Sequence, residues 1–139
     1  MKRLLPLFLC LLLVGPASAH SFRAGQILIG HPWVQPTPTR TTELYLSLLN
    51  RSQTADQLVG VIAPLARSAE LVDETGSRIA LLDLPPGRPL ALKPGGKRIR
   101  LVDLDRPLPM GAKLKLTLVF AKAGSVAIEA EAEAGPSHG

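Results

Sequence analysis

Few side chains in this sequence could bind a metal ion, and most of them lie near the two ends of the chain. The histidine and methionine candidates outside the apolar leader are His20, His31, His138 and Met110. His20 has the most distinctive chemistry, because cleavage after Ala19 would place a free α-amino group beside its own imidazole. Those two nitrogens form a bidentate chelate of the kind that suits Cu(II), and His31 could add a third nitrogen if the first strand doubles back.

A plainer interpretation of the same histidines stays open. His20 would then belong to a frayed terminus, and His31 would pack at a strand edge beside Pro32 and Trp33. His138 lies in a polar tail. The sequence therefore predicts His20 and His31 as the candidate metal ligands without deciding whether the chain holds a metal.

Residues 1–19 have the pattern of an export signal that is later removed. Lys2 and Arg3 precede an apolar run over Leu4–Val14, and Ala17-Ser18-Ala19 supplies the small residues of a cleavage site. The run is about a dozen residues, short of the roughly 20 needed to cross a bilayer. We therefore expect a periplasmic or secreted protein with no stable membrane insertion after cleavage.

The only cysteine, Cys10, lies inside this leader, so the cleaved chain has no thiol for a disulfide, a thiolate ligand or a nucleophile. A lipid attached to Cys10 is disfavoured, because the bulky Leu7-Phe8-Leu9 stands where small residues are needed.

Composition weighs against two broad function classes. Loss of Lys2 and Arg3 lowers the formal net charge from +5 to +3, and aromatic residues make up only 4% of the chain, so nucleic-acid binding has little support. The chain also lacks a phosphate-binding glycine loop and a Gly-x-Ser-x-Gly elbow, so we predict a protein that is not an enzyme.

The elements that must position these residues are predicted to be strands. Short apolar or alternating runs rich in Val, Ile and Leu are separated by Pro, Gly and Asn. The predicted strands are Gln26–Ile29, Thr42–Leu49, Gln57–Ala63, Ser68–Asp73, Arg78–Asp83, Pro89–Leu92, Lys97–Leu104, Lys113–Ala121 and Ser125–Glu131. This pattern predicts an all-β antiparallel sandwich or barrel, with one domain over residues 20–134 and a flexible tail over residues 135–139.

Two local expectations follow from residue type and strand parity. The proline-rich stretch Pro32–Pro38 should be an extended connection or a sheet edge, because proline donates no ladder hydrogen bond. In the last two strands, the leucines of Lys113–Ala121 should face the core, and the exposed lysines of that strand should lie near the glutamates of Ser125–Glu131.

An ordered set of segments resembles the periplasmic copper chaperones known as the PCu(A)C family. The matching segments are Gly30-His31-Pro32-Trp33 with the Pro-Thr-Pro that follows, Tyr45-Leu46 leading to Asn50, Asp56–Gly60, Ala69-Glu70-Leu71, Leu92–Gly96, and Pro107-Leu108 through Leu116–Gly124. The resemblance implies a cupredoxin-like (immunoglobulin-like) β-sandwich. It also implies copper as the metal, and delivery of copper to respiratory oxidases, with an oxidase subunit or a copper assembly protein as partner.

The chain departs from this family where the relatives hold Cu(I) with histidine and methionine. Val72 stands at the first histidine position, and Arg98-Ile99-Arg100 stands where the relatives have His-x-Met. No His, Met or Cys occurs anywhere from Pro32 to Pro109. A guanidinium has no lone pair for a metal, so the family's usual site is missing.

Two hypotheses remain. In the first, the chain is an exported copper-chaperone-family protein with a degenerate or relocated site centred on His20 and His31. In the second, it is a metal-free periplasmic interaction module, in which Arg98 and Arg100 share a strand face and contact an anion or an acidic partner. A solvated strand face is the ordinary alternative for those two arginines.

Overall fold

The computed structural model describes residues 21–135, so the leader, His20 and the end of the tail with His138 lie outside the described residues. The strands are β1 (Ser21–Ala24), β2 (Ile27–Val34), β3 (Thr41–Asn50), β4 (Asp56–Ile62), β5 (Ala66–Val72), β6 (Leu82–Leu84), β7 (Leu90–Leu92), β8 (Arg98–Leu104), β9 (Lys113–Phe120) and β10 (Gly124–Ala132). Within this range no helix is long and apolar enough to span a bilayer.

The strands form one hydrogen-bonded sheet in the order β5-β8-β3-β2-β10-β9-β4-β6, with β1 beside β2 and β7 beside β3. All described strand pairings are antiparallel except that of β2 with β10, which is parallel. The predicted all-β, largely antiparallel architecture is confirmed. The parallel pair was not predicted, and it joins the first part of the chain to the last.

Side-chain alternation along β9 and β10 builds one wall of the core. Leu114, Leu116, Leu118 and Phe120 are buried, as the period of two predicts. Lys115 lies opposite Glu129, and Lys113 lies opposite Glu131, in the β9–β10 register. The predicted faces and the lysine–glutamate neighbours of this hairpin are confirmed.

The expectation for Pro32 is wrong, because this proline lies inside β2, between neighbouring strands. Gly30 pairs with Ser47 and Trp33 pairs with Tyr45, so β2 has one residue more than β3 over this interval. Such a β-bulge leaves residues out of the ladder, and a proline without an N–H is tolerated there. The first predicted strand therefore continues past Ile29 to Val34.

Two further strand predictions need correction. Arg78–Asp83 is not one strand, because β6 begins only at Leu82. The turn before Arg78 is held by Asp73 Oδ1, which accepts hydrogen bonds from the backbone N–H groups of Thr75 and Ser77. After a single bridge from Arg78 to Val72, the chain crosses to pair with β4 as the short β6. Strand β1 was missed because four residues are too few to show a periodic pattern.

Candidate metal centre

The sequence resemblance aligns Val72, Arg98 and Arg100 with copper ligands, and these residues lie on the neighbouring strands β5 and β8. Val72 pairs with Arg98, and Glu70 pairs with Arg100, so these residues occupy one face of the two strands. Val72 is fully buried. Neither its aliphatic side chain nor the two guanidinium groups can donate electrons to a metal ion.

Arg98 is held by partners within the protein. Its Nε donates to Glu43 Oε2 at 2.7 Å, and its Nη1 donates to the carbonyl oxygens of Asp73 and Gly96 at 3.1 and 2.9 Å. Only 13% of the Arg98 side chain is exposed, against 29% for Arg100. Of the two arginines proposed as partner contacts, Arg100 is therefore the more accessible.

Glu43 is the centre of this ion-pair cluster, which consists of Glu43, Tyr45, Arg98 and Arg100. Besides Arg98, Glu43 lies 3.7 Å from Arg100 Nη2 and accepts a hydrogen bond of 3.1 Å from the Tyr45 hydroxyl. Burial, the negative charge of Glu43 and that hydrogen bond raise the pKa of Tyr45 to about 12. Charged and hydrogen-bonded side chains thus occupy the face on which the sequence resemblance would place copper ligands.

His31 lies elsewhere, in the bulge of β2. Its φ angle is 47°, in the left-handed region that residues with a Cβ rarely adopt. A bulge in this conformation redirects a side chain from the regular alternation of the strand, and backbone strain of this kind concentrates at functional sites. Half of the His31 side chain is exposed, so its ring is within reach of solvent ions.

Three segments that are distant in sequence meet around His31. The antiparallel β1–β2 register puts Ser21 opposite Gly30, so the strand does double back as the sequence hypothesis required. Farther along the same strand, the parallel ladder pairs Glu131 with Trp33 and Ala132 with Val34, so the end of β10 lies beside the end of β2. His31 Nε2 lies 3.2 Å from Glu133 Oε1. The start of the described chain, the bulge and the end of β10 therefore converge.

The structure brings together only part of the predicted metal set. His20 is outside the described residues, which begin with Ser21 opposite Gly30. Among residues 21–135, no group of three or more His, Cys, Asp and Glu side chains is arranged to hold a metal ion. The described part of the candidate site is the pair His31 and Glu133.

Sequence reasoning missed Glu133 and Glu43. Glu133 comes close to His31 through the parallel pairing of β2 with β10, which no local pattern announces. Glu43 meets Arg98 across 55 positions of sequence. The one available signal was that Glu43 is the only charged residue of β3, and a partly buried carboxylate in a strand indicates a charged or hydrogen-bonding partner.

Comparison with solved structures places this fold among PCuAC domains. The copper-bound PCuAC domain from PmoF2 is 34% identical and has a TM-score of 0.77 over 84% of this chain and 99% of that one. The apo PCuAC domain from PmoF1 is 32% identical, with a TM-score of 0.78 over 84% of this chain and all of that one. Cu(I)-bound DR1885 from Deinococcus radiodurans is 26% identical, with a TM-score of 0.68 over 86% of this chain and 84% of that one.

These matches define a cupredoxin-like domain of the PCuAC type, so the fold that the sequence resemblance implied is confirmed. The model of the LpqE-like lipoprotein family matches residues 27–132. No protein of the curated set matches the chain. The chain belongs to the LpqE-like, PCuAC family of copper-handling proteins.

Proposed function

We propose that this protein carries copper at a relocated site, in which the amino terminus created by cleavage before His20 acts with His31. The observation that carries the proposal is the convergence at the bulge, where Ser21 is opposite Gly30 and His31 adopts a left-handed conformation. The peptide bond to Ser21 keeps the Cα of His20 about 3.8 Å from that of Ser21. The amine and imidazole of His20 would then be near the His31 ring.

The chemistry of this donor set fits copper as cargo. An amine and two imidazoles are nitrogen donors, which suit Cu(II) better than the thioether-rich set that suits Cu(I). The copper-bound PmoF2 domain supports copper as the metal for this fold. Half-exposure of His31 also suits a carrier, because a metal that is to be transferred must remain accessible to a partner.

We further propose that the protein acts outside the cytoplasm after cleavage of residues 1–19. Residues 20–134 would then form the copper-binding domain, and residues 135–139 its C-terminal tail. The lipoprotein description of the family supports export. An oxidase subunit or a copper assembly protein would receive the metal. Copper binding and transfer require no catalytic step. The processing of the chain is tested by the intact mass of the exported protein, which shows whether it begins at His20 or carries a lipid on Cys10.

A titration with Cu(II) tests the site directly, and the single tryptophan provides the signal. Trp33 is two residues from His31, so bound copper should quench its fluorescence. Protein that begins at His20 is expected to bind one equivalent. His31→Ala and a variant with one extra residue before His20 should each lose at least about tenfold in affinity, a loss of the size that a missing metal contact produces.

The matched control is His138→Ala, which removes a histidine from the tail and should leave the affinity unchanged. Equal binding by His31→Ala and the parent protein would contradict the proposed site. Absence of stoichiometric binding by the correctly processed protein would instead favour the metal-free interaction module, with Arg100 as its more accessible contact residue.

A further inference from the structure

We propose that a groove on the outer face of the sheet is a docking site for an extended segment of a partner protein, with apolar side chains and an acidic residue at each end. We call it the cross-strand groove, because it crosses β1, β2, β3 and β7. It consists of two cavities of about 560 and 530 Å³ that meet at Gly30 and Ser47, which line both. The inference concerns the metal-free protein and goes beyond the proposed copper function.

Strand register puts the floor of the groove on one face of the sheet. Ser21 is opposite Gly30, Gly30 is opposite Ser47, and Ser47 is opposite Ala91. Leu48, the chain neighbour of Ser47, is buried in the core. Because side chains alternate along a strand, Ser47 and its row of partners face away from the core. All four residues of the row are small, so the floor between the two cavities is low.

Apolar side chains line both ends of the groove. Leu28 and Leu49 are partners in the β2–β3 register, and both line the first cavity. Trp33 and Leu92 line the second cavity, and the Trp33 ring packs against Tyr45 with the ring centroids 4.6 Å apart. The outer face of an antiparallel sheet is polar where water covers it. A concave apolar surface there is typical of an interaction site.

The permanent charges that line the groove are positive. Arg23 lines the first cavity and Lys93 the second, and within residues 21–135 neither side chain has an ion-pair or hydrogen-bond partner. None of the described residues that line either cavity is an Asp or a Glu. His31 also lines the second cavity, where its Nε2 lies 3.2 Å from Glu133 Oε1. The two cations are complementary to an occupant with a carboxylate near each end.

The separation of the two cations favours a peptide over a lipid. Through the β1–β2–β3 register Arg23 is level with Leu49, and the β3–β7 register, continued by one residue, puts Lys93 level with Tyr45. Three strand spacings and an offset of about four residues separate the two backbones by roughly 20 Å. An extended peptide covers that distance in about six residues. A fatty acid has one charged end and would leave one of the two cations without a partner.

The experiment titrates the metal-free protein with the capped peptide Glu-Leu-Ala-Val-Ala-Leu-Glu, whose carboxylates stand six positions apart. Trp33 is the only tryptophan and lines the groove, so its fluorescence reports binding. We expect one saturable site whose affinity falls as salt is added, because salt screens exposed ion pairs. The same peptide with Gln at both ends should bind at least about twofold more weakly.

Four variants locate the site. Lys93→Gln and Arg23→Gln should each weaken binding by about two- to fivefold, the size expected for one exposed ion pair. Ser47→Phe puts a bulky side chain in the middle of the floor and should abolish saturable binding. Arg40→Gln is the matched control, since Arg40 is exposed but lines neither cavity. Near-ultraviolet circular dichroism verifies that each variant is folded.

The outcomes are distinct from those of the copper titration. Absence of saturable binding by the parent protein would refute the docking site, and equal binding of the Glu and Gln peptides would refute the charge complementarity that supports it. Binding of dodecanoate but not of the peptide would assign the groove to an amphiphile with one charged end and overturn the peptide proposal. Peptide binding by a protein that binds no copper would support this inference and refute the proposed function, and the reverse result would refute this inference alone.

Discussion

At the residue scale, Tyr45 belongs to the ion-pair cluster that Glu43 forms with Arg98 and Arg100. It is the only tyrosine, it is 2% exposed, and its hydroxyl donates to Glu43. Its pKa is raised to about 12 in the folded protein, whereas an unfolded tyrosine ionises near pH 10. The unfolded chain therefore loses this proton first as the pH rises. The contribution of Tyr45 to stability is fully present below about pH 10 and is lost between about pH 10 and pH 12.

We therefore expect the free energy of unfolding to fall over this pH range by an amount on the order of 2 kcal/mol from Tyr45. Urea denaturation at about pH 9 and about pH 12 measures the fall, and Tyr45→Phe is the control that should show a smaller one. Absorbance of the phenolate follows the single hydroxyl directly. A midpoint near pH 10 in the folded protein would contradict the burial and the hydrogen bond to Glu43.

At the element scale, Asp56 joins the start of β4 to the turn between β9 and β10. Its Oδ1 accepts hydrogen bonds from the backbone N–H groups of Gln57 and Lys122 at 2.7 and 2.8 Å, and its Oδ2 accepts one from Ala123 at 2.8 Å. Burial alone would raise the pKa of Asp56, but these three N–H groups lower it below its ordinary value. Its contribution to stability is therefore present above about pH 4 and is lost as the pH falls through the lowered value.

Asp56→Asn should destabilise the protein by about 1–3 kcal/mol at neutral pH, because one oxygen becomes an NH₂ group that cannot accept a backbone N–H. Thermal or urea unfolding measures the loss, which should shrink in acid as the parent carboxylate becomes protonated. Asp83→Asn is the matched control, since Asp83 is exposed and contacts only the end of Gln57 among the hydrogen bonds described. Equal effects of the two substitutions would contradict the role of Asp56.

The elements also show how far sequence reasoning extends. Period-two alternation predicted the buried face of β9 correctly, because it depends only on residues that are neighbours in the strand. The bulge at His31 and the parallel pairing of β2 with β10 depend on which strands become neighbours, and chain order does not contain that information. For the same reason His31 could be selected as a candidate ligand from its residue type, whereas its contact with Glu133 could not.

At the scale of the whole molecule, the candidate site links parts of the chain that are far apart in sequence. His31 and Glu133 are 102 positions apart, and β1 lies against the same strand as His31. A metal held by these segments requires the strand order of the folded protein, since an unfolded chain would have to close a loop of that length to form the same contacts. Copper should therefore bind the native state in preference to the unfolded state.

Preferential binding to the native state predicts a rise in melting temperature. Free Cu(II) at about 100 times its dissociation constant should add about 2.7 kcal/mol to the free energy of unfolding, which for a domain of this size corresponds to roughly 8–15 °C. Differential scanning calorimetry of protein that begins at His20 measures the shift, with His138→Ala as the unaffected control. His31→Ala should show little or no rise, because one of the converging segments has lost its ligand. An equal rise in that variant would mean that copper stabilises the fold from another place, whereas a lower melting temperature would mean that it binds the unfolded chain more tightly.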